Sequence, residues 1–176
     1  MNGAEPVGIA RPKLSEENLA MVGLATYYET NAKISLSLVY KTLKGLDHAC
    51  WVEIERWQFG TLVKELARLI EIDHPLRVYF SAILDQHEDL RDSRNFVVHA
   101  IWGQDAKGRA IGYCYRRKRS CDENEVVRAS NDSFRLATLC HDLAYQTALM
   151  IASGKISGGN DEAGVSMRTP AGLARF

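Results

Sequence analysis

The sequence has no surplus of charge, no paired cysteine motif and no long apolar run. Lysine plus arginine and aspartate plus glutamate both number 22, so any attraction to phosphate must come from local clusters. The four cysteines lie far apart without a CxxC pair, and no apolar run reaches membrane-spanning length. Residues 1–13 lack the apolar core of a signal peptide. We therefore expect a cytoplasmic protein with free thiols and no membrane partner.

Several common catalytic motifs are also missing. The chain has no GxxxxGK[ST] phosphate loop, no GxSxG elbow, no HExxH and no dinucleotide-binding glycine fingerprint. His87, Glu88 and Asp89 could contribute to a metal site, but such a cluster is more often a solvated helix turn. Cys114 and Cys121 flank a predicted hairpin and could oxidise or bind metal, although two ordinary side chains are the commoner case. The patterns thus predict no cofactor and no metal.

Helical patterns dominate the chain, whose size suits one compact domain. With 176 residues and a hydrophobic fraction of 46%, the chain can bury a sizeable core. Four main helical segments with short connections indicate an all-α fold. We predict an antiparallel bundle of four or five helices with a small β-hairpin inserted between the last two. Residues 1–153 are assigned to this single domain, about 104–130 to the hairpin and 154–176 to a flexible C-terminal tail.

Three of the helices are predicted from caps, stops and apolar spacing. Ser15 is a natural N-cap of a long first helix, and Gly45 is a natural end for it. A second helix is expected over Asp47–Glu71, with a bend near Gly60. The last helix is expected over about Ser133–Ser153, with its cap just before it.

The third helix is expected after Pro75 and carries a regular apolar row. The row recurs at alternating steps of four and three, the 3.5-residue period of helices packed at shallow angles. Its positions are Leu76, Phe80, Ile83, His87, Leu90, Arg94, Val97 and Ile101. This helix either runs unbroken to Trp102 or breaks near Asp92–Ser93. Two of the row positions, His87 and Arg94, are polar, and polar groups are costly to bury unless they are paired.

The segment between the last two helices has the alternation of a β-hairpin. Asp105–Gly108 is turn-like, and apolar residues alternate from Ile111 to Tyr115. A second turn at Asp122–Asn124 and a return strand at Val126–Val127 complete the predicted hairpin.

Arg94, Asn95 and His99 interrupt the apolar pattern and carry a resemblance to a known family. The arrangement resembles the RxxxxH signature of the HEPN superfamily (higher eukaryotes and prokaryotes nucleotide-binding domains), in which a polar residue commonly follows the arginine. The similarity in residues is confined to this stretch, and the similarity in architecture covers roughly 15–103 and 131–153. The resemblance implies four or five helices, usually in a homodimer. For active members it also implies metal-independent endoribonuclease activity.

The resemblance assigns a catalytic role to each of the three residues. A histidine, with a reference pKa of about 6.5, can take and return protons near neutral pH, so His99 would be the general base and acid. Arg94 would stabilise charge on the phosphoryl oxygens through its planar fork. Asn95, one helical turn before His99, would orient the phosphate or the histidine. Cleavage by the neighbouring 2′-hydroxyl would leave a 2′,3′-cyclic phosphate.

The spacing of Arg94 and His99 bears on how many chains form the site. Five residues along a helix separate side chains by roughly 140°, so the two residues of one chain need not touch. A two-fold interface along this helix would bring both pairs into one cleft. The resemblance implies such a homodimer, with RNA or a nucleotide as its ligand, and the spacing of the two residues fits it. A toxin or phage-defence role would add an antitoxin protein as a partner.

Two other interpretations of the same residues stay open. Arg94 could pair with Asp85, Asp89 or a carboxylate on another helix, while Asn95 and His99 form internal hydrogen bonds, because buried charges are usually paired for structural reasons. Alternatively, the chain is a non-catalytic helical module that binds a nucleotide, RNA or a protein through the same cleft.

A basic run provides a second candidate region for nucleic-acid binding. It consists of Arg116, Arg117, Lys118 and Arg119 and directly follows Tyr115. Arginines bind phosphate and aromatic rings stack on bases, so the basic run could bind RNA. A charge run is more often a solvated strand end, and nearby acidic residues could neutralise this one.

Overall fold

The computed structural model describes residues 14–46, 51–115 and 117–159, and 69% of these residues are helical. The described residues form five helices: α1 (Glu16–Lys44), α2 (Trp51–Glu55), α3 (Phe59–Leu69), α4 (Arg77–Val98) and α5 (Glu123–Ala152). They also form three strands: β1 (Ile101–Gln104), β2 (Ala110–Cys114) and β3 (Arg119–Cys121). The strands make one antiparallel sheet in the order β1-β2-β3. The prediction of a mostly helical chain with a small β element between the last two helices is confirmed.

Helix α1 begins and ends where the sequence indicates. The Ser15 side chain accepts a hydrogen bond from the Asn18 N–H at 3.2 Å and so caps the helix. Gly45 adopts a φ of 62°, a left-handed conformation that favours glycine, and its N–H donates to the Thr42 carbonyl. Both predicted boundaries are confirmed.

The second predicted helix is two helices, with the break earlier than expected. Helix α2 ends at Glu55 and α3 begins at Phe59, and Gly60 lies inside the first turn of α3. Gln58 has an extended backbone, and its carbonyl accepts the first hydrogen bonds of α3. The break at this point lets Phe59 enter the core. Residues 47–50 of the predicted helix lie outside the described residues.

Helix α4 runs unbroken through Asp92 and Ser93 but ends at Val98, before Trp102. The reason is that the backbone of β1 pairs with β2, with Ile101 opposite Tyr113 and Gln104 opposite Ala110. Ile101 is therefore a strand residue, and its assignment to the apolar row of the third helix was wrong.

The first turn of the hairpin is confirmed and its return strand is corrected. One Asp105 carboxylate oxygen accepts hydrogen bonds from the backbone N–H groups of Lys107 and Arg109, and Gly108 has a φ of 77°. The strand that returns along β2 is β3 (Arg119–Cys121), whereas Val126–Val127 lies within α5. A strand of three residues is too short to show alternation, so the pattern gave no sign of it.

Helix α5 begins ten residues earlier than predicted. Asp122 is its N-cap, accepting hydrogen bonds from the N–H groups of Asn124 and Glu125, while the Glu125 carboxylate accepts one from the Asp122 N–H. This reciprocal capping box satisfies donors that would otherwise lack a partner at the helix end. The predicted turn at Asp122–Asn124 is thus a helix start.

The main core lies where α1, α3, α4 and α5 meet. Helix α1 packs along α5, and α4 packs against α5. The largest fully buried side chains of this core are Phe80, Leu36, Leu62, Leu66, Ile70, Leu76, Ile83, Leu136 and Leu143. No helix within the described ranges has the length and apolar content to cross a membrane. Of the predicted tail, residues 154–159 follow α5 and 160–176 fall outside the described residues.

Candidate functional site

The three residues of the RxxxxH stretch line one cavity at the C-terminal end of α4. Arg94 and Asn95 stand in the last turns of the helix, and His99 is the residue that follows it. The cavity has a volume of about 400 Å³ and is lined by all three side chains. The structure therefore brings Arg94, Asn95 and His99 of a single chain to the same cavity, although they are spaced unevenly around the helix.

Glu29 on α1 holds the arginine of this stretch. Its two carboxylate oxygens lie 2.8 Å from the Arg94 Nε and 2.9 Å from the Arg91 Nε. The Arg91 Nε donates a hydrogen bond, whereas the buried Arg94 Nε–H makes none, so the Arg94 contact is an ion pair without a hydrogen bond. The Arg94 Nη1 donates to the Asn95 Oδ1 at 2.9 Å. Arg94 thus pairs with a carboxylate on another helix, which is what the alternative interpretation of Arg94 as a structural residue predicted.

The His99 side chain is exposed and stands apart from this network. Its backbone N–H donates to the Asn95 carbonyl and so completes the last turn of α4. Within the described residues its ring has no hydrogen bond or ion pair. An imidazole that is exposed at a cavity and free of internal partners is available for proton transfer to a bound molecule.

A second cavity of about 570 Å³ adjoins the first and shares the side chains of Asn95 and His99 with it. It is lined by Asn95, His99, Cys114, Arg117 and Arg119. Two residues of the predicted basic run therefore line a cavity together with His99, as Arg94 does in the first cavity. Lys118, with a φ of 52°, lies in the turn before β3 outside this cavity, and Arg116 is outside the described residues.

The arginines of the second cavity are each held by a neighbouring carboxylate. Arg117 forms an ion pair with Asp92 of α4. Arg119 lies 2.5 Å from the Glu125 carboxylate, and its guanidinium sits 4.0 Å from the centre of the Phe96 ring. These contacts fix the direction of both arginines. Because a partly exposed ion pair contributes little free energy, a phosphate group can compete for the same guanidinium groups.

The cations around the two cavities outnumber the carboxylates. Among the residues that the structure describes, five cationic side chains line them, namely Lys33, Arg91, Arg94, Arg117 and Arg119. Three carboxylates pair with these cations, namely Glu29, Asp92 and Glu125. A chain with no net charge thus has a locally cationic cleft, which favours an anionic ligand.

The cysteines near the second cavity remain free thiols. Cys114 and Cys121 lie on adjacent strands, are both buried and form no disulfide. Burial raises the pKa of the Cys121 thiol to about 11, so this thiol is protonated at neutral pH and is a poor nucleophile. An added Cβ at Gly112 would lie 2.6 Å from the Cys121 Sγ, so a glycine is required between these strands.

The other candidate for a metal site is a structural cluster. The His87 Nδ1 lies 3.1 Å from the Ile83 carbonyl of its own helix, and its ring stacks on Phe59. Glu88 and Asp89 are exposed. Among the described residues, no group of three or more histidine, cysteine, aspartate or glutamate side chains could hold a metal ion.

Several residues of the cavity were not predicted from the sequence. Glu29 and Lys33 come from α1, Trp57 and Gln58 come from the α2–α3 connection, and Phe59 is the first residue of α3. Arg91 lies three residues before Arg94 on the same helix face, so a search for basic residues at helical spacing around the motif could have found it. Nothing in the sequence pairs Glu29 with either arginine.

Comparisons with protein-family models, with curated proteins and with solved structures find no match for this chain. The function therefore has to be inferred from the residues of the site and their chemistry.

Proposed function

We propose that this protein is a metal-independent endoribonuclease of the HEPN type, an antiparallel bundle of four or five helices with Arg94, Asn95 and His99 as its catalytic residues. The observation that carries the proposal is the exposed His99 ring, which has no hydrogen bond or ion pair within the described residues and stands at a cavity that Arg94 also lines. A free imidazole and a positioned guanidinium are the two groups that cleavage by the 2′-hydroxyl requires.

In this mechanism His99 takes the proton of the 2′-hydroxyl next to the scissile phosphate. The 2′-oxygen attacks phosphorus, the bond from phosphorus to the 5′-oxygen breaks, and the leaving oxygen takes a proton from an acid. The products are a 2′,3′-cyclic phosphate and a 5′-hydroxyl. Arg94 stabilises the charge that builds on the phosphoryl oxygens. Asn95, whose Oδ1 is already bonded to Arg94, keeps its amide N–H groups for the phosphate.

The position of the second cavity supports RNA as the ligand. His99 and Asn95 line both cavities, and Arg91 and Arg94 line the first while Arg117 and Arg119 line the second. A single-stranded chain that occupies both cavities would meet two arginines in each. Two adjoining cavities with arginines suit a polynucleotide better than a small anion.

A homodimer is part of the proposal because the mechanism uses both a base and an acid. One His99 supplies one of these groups, and a two-fold axis beside α4 would supply the second from the other subunit. A ribonuclease of this kind suits a toxin or phage-defence role, with an antitoxin protein as a further partner.

The test is cleavage of a labelled single-stranded RNA in the presence of EDTA. His99→Ala should lower the rate at least about 100-fold, because general acid–base catalysis contributes about 10²- to 10⁴-fold. His141→Ala, which removes an exposed histidine on α5, is the matched control and should cleave like the wild type. Products should carry 2′,3′-cyclic phosphate ends. Equal cleavage by wild type and His99→Ala, or none by the wild type, would exclude the nuclease.

One observation favours a second function, a non-catalytic module that binds RNA or a nucleotide in the same cleft. The Arg94 guanidinium is already engaged by Glu29, whose side chain is only 14% exposed. An arginine fixed in this way can bind a phosphate without assisting chemistry. This function predicts intact RNA, measurable binding, and weaker binding by Arg94→Ala.

A further inference from the structure

Two arginines share one carboxylate in the first cavity, and this leaves some of their terminal N–H groups without a hydrogen bond within the described residues. The Nε atoms of Arg91 and Arg94 lie 2.9 and 2.8 Å from the two carboxylate oxygens of Glu29. Of their four terminal nitrogens, the Arg94 Nη1 bonds to Asn95, and within the described residues the other three make no hydrogen bond. Two guanidinium groups against one carboxylate leave an excess positive charge. The unused N–H groups have the planar arrangement that binds two oxygens of a phosphate.

Next to these nitrogens, the connection between α2 and α3 forms a wall suited to a nucleobase. Trp57 is half-buried and packs edge-on against Tyr40, which holds its ring in place. Phe59 is buried beneath the Arg91 guanidinium, whose central carbon lies 5.0 Å from the ring centre. Of the two rings, only Trp57 is partly exposed, and exposed aromatic rings stack on bases in proteins that bind single-stranded RNA.

Gln58 adds a group that can read a base edge. It occupies the N-cap position of α3, where a side chain often bonds to the helix, yet it makes no such bond. Its side chain is exposed, lines the cavity and has no hydrogen bond within the part of the chain that is described. A primary amide both donates and accepts, so it can pair with the edge of a base.

We infer that the first cavity is a nucleotide subsite, in which Arg91 and Arg94 bind one phosphate group while Trp57 and Gln58 bind the adjoining base. The inference rests on the proposed RNA cleft and gives it a base preference. The volume of about 400 Å³ falls in the range of about 300–1,000 Å³ that small-ligand sites occupy. Glu29 is the positioning residue, because it directs both guanidinium groups.

The experiment measures binding separately from cleavage. The probes are labelled 2′-O-methyl pentanucleotides of adenine, cytosine or uracil, which lack the free 2′-hydroxyl needed for cleavage. Wild type should prefer one base, and Arg91→Ala should weaken binding of all three probes about tenfold, a change of about 1.4 kcal/mol. Gln58→Ala should retain binding and lose the preference. Arg68→Ala, which removes an exposed arginine of α3, should change neither.

The possible outcomes separate this inference from the nuclease proposal. Unchanged affinity in Arg91→Ala, a base preference that survives Gln58→Ala, or no binding by the wild type would each overturn the subsite. If ordinary RNA is cleaved in a His99-dependent way while these variants bind like the wild type, the nuclease stands and the subsite does not. If binding follows the predicted pattern without cleavage, the subsite stands and the nuclease does not. Because Gln58 is exposed, Gln58→Ala can be interpreted even if Arg91→Ala folds poorly.

Discussion

The two halves of α4 share one row of regularly spaced positions, but the first half has apolar residues in this row and the second half also has an arginine. In the first half Phe80 and Ile83 are fully buried in the main core. In the second half Arg94 stands on the same row and lines a cavity, with its charge paired to Glu29. Burying a large apolar side chain contributes about 1.5–3 kcal/mol, whereas a buried charge costs free energy unless it is paired. The comparison indicates that the first half holds the fold together and that the second half places polar groups at a cavity.

The largest effect is expected from Phe80→Ala in the first half. Removing a fully buried aromatic ring leaves a cavity, and such substitutions cost about 3–5 kcal/mol of unfolding free energy. Urea denaturation followed by circular dichroism measures the change. Val78→Ala, at a position of the same helix that is 70% exposed, should stay within about 0.5 kcal/mol of the wild type. A loss below about 1 kcal/mol for Phe80→Ala would contradict the division between the two halves.

A smaller effect is expected from Glu29→Ala, which acts on the second half. The substitution leaves the Arg91 and Arg94 guanidinium groups partly buried with no carboxylate between them. Because all three side chains keep some exposure to solvent, we expect a loss of about 1–2 kcal/mol, below that of a fully buried pair. Chemical denaturation is again the measurement, and RNA binding should weaken as the arginines lose their orientation.

Glu65 provides the control for this variant. Its partner Arg68 has a side chain that is 62% exposed, so Glu65→Ala should cost no more than about 0.5 kcal/mol. A Glu29→Ala protein that is more stable than the wild type would mean that the ion pairs of Glu29 with Arg91 and Arg94 lower the unfolding free energy. Glu29 would then not support the two arginines.

The first half of α4 was predicted well from the sequence because its buried positions recur with the period of a helix face. Positions Leu76 to Leu90 repeat at steps that fit a helix face, and the buried residues follow them. The polar partner of the second half could not be found this way, since Glu29 is 65 residues from Arg94 and follows no pattern shared with it. The start of helix α5 was predicted wrongly for a different reason. The capping box between Asp122 and Glu125 is visible in the sequence, but the same acidic residues also resemble a turn.

The candidate site was predicted only in part, for a similar reason. Arg94, Asn95 and His99 belong to a short local motif, and the structure brings them to one cavity. That Arg117 and Arg119 line a cavity together with His99 depends on tertiary contacts with α4, namely the ion pair of Arg117 with Asp92 and the position of Arg119 over the Phe96 ring. Local patterns find residues with suitable chemistry, but which of them share a cleft depends on packing between distant segments.

The smallest effect concerns the start of α4, where His74 stabilises the first half of the helix. Its Nδ1 accepts a hydrogen bond from the Leu76 N–H at 3.1 Å, which requires the neutral ring. Burial lowers the pKa of His74 below its usual value of 6.5, so the unfolded chain takes up this proton at a higher pH than the folded protein. Between the two pKa values the unfolded state binds more protons, so the unfolding free energy rises with pH there. The contribution is complete above about pH 6.5 and is lost as the pH falls through the lower pKa of the folded state.

His74→Asn should remove this pH dependence and little else, because asparagine keeps a polar side chain at the position but does not titrate. Unfolding free energies of wild type and variant, measured by urea denaturation from pH 5 to pH 8, should approach each other as the pH falls below about 6.5. A constant difference across the range would mean that His74 does not titrate differently in the folded and unfolded states. The pH dependence would then have to arise from another titratable group, and the constant difference between the two proteins would be a contribution of His74 that does not depend on its charge.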